Sequence, residues 1–228
     1  MGANQQLLSS YKAASSGGGL ITYYGGTGKG SSDTNSVTTD SWDSGSGSNF
    51  IVGCVAYLAG TQPTISDNKG NTANYLSLTV QTGINSYLFI FYCPSATCGT
   101  GHMVTATGTG IYPSIVVASF ANVKATSPFD AQNGTTANGV TSVQPGSVSP
   151  ANDNELLIAA FSGYLLNETI SISGTGWVKT TQVNSDGATH VAAALGYHIQ
   201  TTKGADNPTF SWSTASVCSA AQGAFLNT

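Results

Sequence analysis

The chain has 228 residues, 40% of them hydrophobic and only 7% charged, against about 25% charge in an ordinary soluble domain. Six lysines, no arginine and ten acids leave a net charge of -4, which excludes a nucleic-acid footprint and a polybasic membrane patch. Polarity comes instead from 58 serines and threonines and 28 glycines, and no apolar run approaches the roughly 20 residues of a membrane-spanning helix.

Residues 1–45 read as an N-terminal arm for attachment or assembly. A short helix is predicted from Asn4 to Ala14, with Leu7, Leu8 and Tyr11 on one side, followed by Ser15-Ser16-Gly17-Gly18-Gly19 and the run GGTGKGSSDTNS. Composition of this kind describes a linker. Lys29 within GGTGKG is followed by Gly30 where a phosphate loop needs Ser or Thr, so no nucleotide site is read there. The opening residues lack the charged and apolar regions of a secretory signal, so cytoplasmic synthesis without export by the general secretory route is expected.

From residue 46 to 228 short β-branched and aromatic runs alternate with Gly, Asn, Asp and Pro, the pattern of an all-β chain. Strands are predicted at Phe50–Leu58, Tyr75–Val80, Tyr87–Cys93, His102–Thr107, Ile111–Ala121, Glu155–Phe161, Thr169–Ser173, Val178–Val183, His190–Ile199, Thr209–Ser213 and Val217–Leu226. The fold class is an antiparallel β-sandwich, jelly-roll or Ig-like Greek key. The order of features in 49–123 returns in 154–228, with pairs such as Asn49/Asn154, Tyr92/Tyr197 and Phe120/Phe225 each 105 residues apart. That spacing predicts two pseudo-repeated halves of one sandwich, or two small duplicated sandwiches, joined by a turn-rich surface segment from Lys124 to Asp153. SYLFIFYC, SIVVASFA, ELLIAAF and HVAAALGYHI do not alternate, so the second face of the sheets is expected to be covered by a further layer, a loop or a neighbouring copy.

Candidate sites are few. Cys93 and Cys98 bracket four residues at a strand end and could close a hairpin disulfide, although cytoplasmic synthesis favours thiols. Adding His102 gives a zinc set without a fourth ligand. Asp67-Asn68-Lys69-Gly70-Asn71 reads as a tight turn ahead of a calcium loop. The acid pairs Asp40/Asp43 and Asp153/Glu155 read as solvated ends, and no motif joins His102, His190 or His198 to a nucleophile. Trp42, Trp177 and Trp212 are candidates for stacking on glycans. No catalytic residue, metal or cofactor is assigned.

SPFDAQNG (Ser127 to Gly134), VQPGSVSPANDNELLIAAF (Val143 to Phe161) and NPTFSWS, with ISDNKGNT, SYLFIFYC and YPSIVVASF upstream, resemble a family of β-sandwich accessory proteins of tailed-phage virions. The resemblance covers about residues 49–228. It implies a non-enzymatic structural protein of the virion, an outer-surface capsid decoration or a short fibre or spike subunit. Its implied partners are other capsid or tail proteins and copies of itself. Two other readings are a carbohydrate-binding adhesin directed at host-surface glycans, and a filament subunit donating TNSVTTD as a strand to its neighbour.

Overall fold

The computed structural model describes residues 19–32, 35–77, 80–81, 85–108, 110–164, 167–185 and 190–228. The helix predicted at Asn4–Ala14 lies outside them. Fifteen strands follow one another: β1 (Thr22–Gly30), β2 (Ser36–Thr38), β3 (Phe50–Leu58), β4 (Thr64–Asp67), β5 (Asn74–Tyr75), β6 (Val80–Gln81), β7 (Ser86–Pro94), β8 (Val104–Thr107), β9 (Ile111–Ala121), β10 (Phe129–Val143), β11 (Glu155–Tyr164), β12 (Ser171–Ser173), β13 (Val178–Asn184), β14 (Val191–Gln200) and β15 (Thr209–Phe225). All described pairings are antiparallel, and there is no helix among the described residues.

The repeat read from the sequence is present in the strand order. One large sheet runs β1-β9-β3-β7-β5 and the other runs β10-β15-β11-β14-β13, the same order with each strand replaced by its counterpart. Register gives the offset strand by strand. Phe50 pairs with Phe120 and Pro94, while Leu156 pairs with Phe225 and Ile199. The spacing is therefore 105 residues between β9 and β15 and between β7 and β14, but 106 between β3 and β11. The ungapped match of Asn49 with Asn154 is one residue out.

The non-alternating strands are explained by burial on both faces. Phe50, Val52, Cys54 and Ala56 of β3 and Leu156, Ile158 and Ala160 of β11 point into a central core where the two large sheets face each other. That core closes on aromatic contacts across the sheets, with ring centroids of Phe50 and Phe225 5.0 Å apart and those of Phe120 and Tyr197 5.3 Å apart. Side chains between these point the opposite way. Val55 and Tyr57 pack under a three-stranded sheet, β2-β8-β4, through Val37, Ile65, Val104 and Ala106. Leu157, Ala159 and Phe161 pack under Val143, Ile170, Phe210 and Trp212. This second cover comes from the end of β10, the start of β15 and β12, joined at Val143↔Phe210 and Ile172↔Phe210. The extra layers that the sequence requires are thus parts of the same chain.

Two segments depart from the sequence reading. The arm does not extend to residue 45: Thr22–Gly30 pairs along β9, and Ser36–Thr38 pairs with β8. The GGTGKG run is a strand because its glycines allow close approach to the facing sheet. A Cβ on Gly28 would lie 2.8 Å from Val183 Cγ1, and one on Gly30 would lie 1.9 Å from the Asn184 carbonyl oxygen. The segment from Lys124 to Asp153 is not only a surface wrap, since β10 occupies fifteen of its residues and pairs along β15. It shows no apolar period because most of its side chains lie half-exposed at the sheet edge.

Candidate functional site

The hydrogen-bonding needs of buried polar groups bring together a cluster that no motif joins. Ser44 follows the isolated bridge between Trp42 and His102, Asp67 ends β4, and His102 precedes β8. Asp67 turns the chain, its Oδ1 accepting the backbone N–H groups of Lys69 at 3.1 Å and Asn71 at 2.9 Å, with Gly70 at φ +77°. Its other oxygen, Oδ2, lies 2.8 Å from His102 Nε2. On the far side of the ring, Ser44 Oγ lies 2.8 Å from Nδ1. A carboxylate only accepts, so Nε2 carries a proton, while Ser44 Oγ, which faces Nδ1, also lies 3.2 Å from the Gly99 carbonyl oxygen.

This is a Ser–His–Asp array in connectivity, sealed from solvent at two of its three members. Ser44 and His102 are wholly buried. Ser44 Oγ also accepts the Gly99 N–H at 2.8 Å, and the Trp42 ring lies stacked on His102 at 6.0 Å. A nucleophile needs a path to substrate and a place for an oxyanion. Here the array clamps three chain segments together. Burial alone would raise the Asp67 carboxyl, but the Asn71 N–H, the His102 ring and the Asn71 side-chain amide hold it below its ordinary range.

The second repeat carries a group of the same residue types at other positions, with His198 on β14 and Trp177 just ahead of β13. The Trp177 indole N–H donates to Asp206 Oδ1 at 2.9 Å, and His198 Nδ1 lies 2.7 Å from Asp206 Oδ2. The pair is more open than the first, with side chains 16% and 15% exposed. The Asp206 backbone is fixed in turn, bridging to Val148 and accepting Gln222 Nε2 at 2.9 Å.

The structure redirects the other candidates. Trp42 lies half-buried against the outer core of the first repeat, Trp177 is 8% exposed, and Trp212 is 7% exposed and packs on Phe161 with centroids 4.9 Å apart. Trp177 and Trp212 present no face to a glycan, because each ring fills the space under an outer layer. Cys54, Cys93, Cys98 and Cys218 are all free thiols, so the Cys93–Cys98 disulfide is not formed. Cys93 packs with Ile51 and Ala96 beside Cys98, and burial pushes its thiol up to about 12. Both ring nitrogens of His102 are occupied, which removes it from the zinc set. Among the described residues no three His, Cys, Asp or Glu side chains are placed to hold a metal ion.

Glu155 is not a solvated end. It is wholly buried, with Oε1 accepting the Asn152 N–H at 2.8 Å. Burial raises its carboxyl, the Asn152 groups pull it back, and the neighbouring Asp130 charge raises it again. The donor-strand segment TNSVTTD is committed within the chain through β2. His190 lies beside the Ser185 carbonyl, with Nδ1 3.2 Å from the oxygen. Among the described residues no helix is long and apolar enough to cross a membrane.

Comparison of the chain with family models, with curated proteins and with solved structures yields no significant match.

Proposed function

We propose that the chain is a non-enzymatic structural subunit of a phage virion, an outer-surface capsid decoration or a short fibre or spike subunit. In this reading it joins the particle and other copies of itself through the segment ahead of β1. The observation that carries the proposal is closure: both faces of the central strands of both large sheets are covered by the chain's own residues. Such a unit leaves attachment to a segment outside it. Residues 1–18, with Leu7, Leu8 and Tyr11 ahead of a Ser/Gly run, are the attachment element. The sealing of the Ser44–His102–Asp67 array and the scarcity of titratable groups favour a structural role over a catalytic one.

The test is incorporation. Particles from a producing culture are purified and probed with an antibody to the chain, alongside particles made with a chain lacking residues 1–18. The expected result is labelling of intact particles by the full chain and loss of labelling with the shortened one. Particles free of the full chain contradict the virion role, and retained labelling without residues 1–18 contradicts the attachment role alone.

A further inference from the structure

The Trp–His–Asp groups of the two repeats use their histidine nitrogens differently. In the first, both ring nitrogens of His102 are taken, by Ser44 and Asp67, and the ring is sealed. In the second, Asp206 takes Nδ1 of His198, and among the described residues no hydrogen bond to Nε2 is formed. A clamp needs only the first arrangement. Gly176 packs against this edge of the ring: it adopts φ +80°, and a Cβ there would lie 2.4 Å from His198 Nε2, too close for any side chain without a shift of the ring.

Beside this ring lies a recess of about 490 Å³ lined by Thr175, His198, Gln200, Thr201, Thr202 and Asn207 among others. Small-molecule sites occupy roughly 300–1,000 Å³. Among the described residues the charged partner of the imidazole is Asp206, and both its oxygens are spent on His198 and Trp177. Neither a lysine nor a second carboxylate lines the recess, so nothing there favours an ion. Hydroxyls, amides and one imidazole nitrogen remain, groups that exchange hydrogen bonds in both directions with alcohols.

We propose that this recess is a binding subsite for a neutral polyhydroxylated ligand of the carbohydrate class. His198 Nε2 takes one ligand hydroxyl, and Thr201 and Thr202 take others from the exposed rim. Recognition runs through hydrogen bonds, since Trp177 is buried and offers no stacking face. The site stands independently of whether the chain is carried on a particle.

Long-range proton–nitrogen spectra of the full chain resolve the imidazole nitrogens, and the probes are glucose, galactose and N-acetylglucosamine. At least one is expected to shift the His198 ring signals saturably in the millimolar range, while those of sealed His102 stay fixed. His198→Phe and Thr202→Val are each expected to weaken that affinity by roughly tenfold, as when a hydrogen-bonding partner is removed. Should His198→Phe lose its fold, Thr202→Val decides, and an unchanged affinity there overturns the site. His198 signals unmoved by every sugar, or moved by inorganic phosphate and not by sugars, also overturn it.

Discussion

His102 holds Asp67 through Nε2 at 2.8 Å, with the histidine side chain wholly buried and the aspartate side chain 4% exposed. Removing one partner of such a pair leaves the other buried and uncompensated, which costs far more than an exposed pair is worth. Asp67 also caps the turn through Lys69 and Asn71, so two layers of structure depend on one carboxylate.

Asp67→Ala is expected to destabilise the fold by about 3 kcal/mol or more, as for breaking a buried pair. Ser44→Ala is expected to cost about 1–3 kcal/mol, the penalty of leaving a buried partner unsatisfied. Urea unfolding measures both. A fluorophosphonate probe is expected to leave native Ser44 unlabelled, and labelling would show that the array is open.

Two carboxyls give opposite pH dependences. Asp67 is held below its ordinary 3.8, so its contribution is complete above that value and is lost as pH falls through the lower folded one. Glu155 is raised above its ordinary 4.5, so its contribution is complete below that value and is lost as pH rises through the higher folded one. Stability then follows the difference in protons bound by the unfolded and folded states. Asp67→Asn is expected to flatten the acid limb of the stability profile. Glu155→Gln is expected to be at least as stable as the parent chain at mildly alkaline pH, and a loss there would contradict the assignment.

The thiols differ in reach. Cys98 is partly exposed, while Cys54, Cys93 and Cys218 are buried. Burial pushes Cys54 up to about 12 and Cys218 up to about 11. Thiolate is the reactive form. A disulfide reagent is expected to modify Cys98 first and the other three only on unfolding, and simultaneous reaction of all four in the native chain would contradict the packing.

Gly28→Ala places a methyl group against Val183 and the β9 backbone, and overpacking of this kind costs about 1–3 kcal/mol. Gly70→Ala serves as the comparison, because nothing lies within 4 Å of a Cβ there and its cost comes from the positive φ alone. Thermal melts of the two variants separate close approach from backbone conformation. An unchanged melt for Gly28→Ala would mean that β1 is not seated against the second sheet.

Most of the central sandwich was legible because its strands carry dense β-branched and aromatic runs, and β3 and β9 fall on the predicted residues. β1 and β10 were not legible, since one is read as a glycine linker and the other lacks an apolar period. Their strand character comes from pairing with β9 and β15, which no local signal announces. The covering layers followed from two-faced apolar strands such as ELLIAAF. The clusters at His102 and His198 were hidden because Ser44, Asp67 and His102 come from three separate segments that only the outer layer brings together. The tryptophans misled for the same reason: their hydrophobicity suits a core under a cover sheet as well as an exposed platform.

The most direct test of the assembly role is the mass of the full chain in solution, by light scattering, beside that of a chain lacking residues 1–18. The account predicts that the full chain forms an oligomer and the shortened one a folded monomer with an unchanged melting temperature. Two monomers of identical behaviour would contradict it.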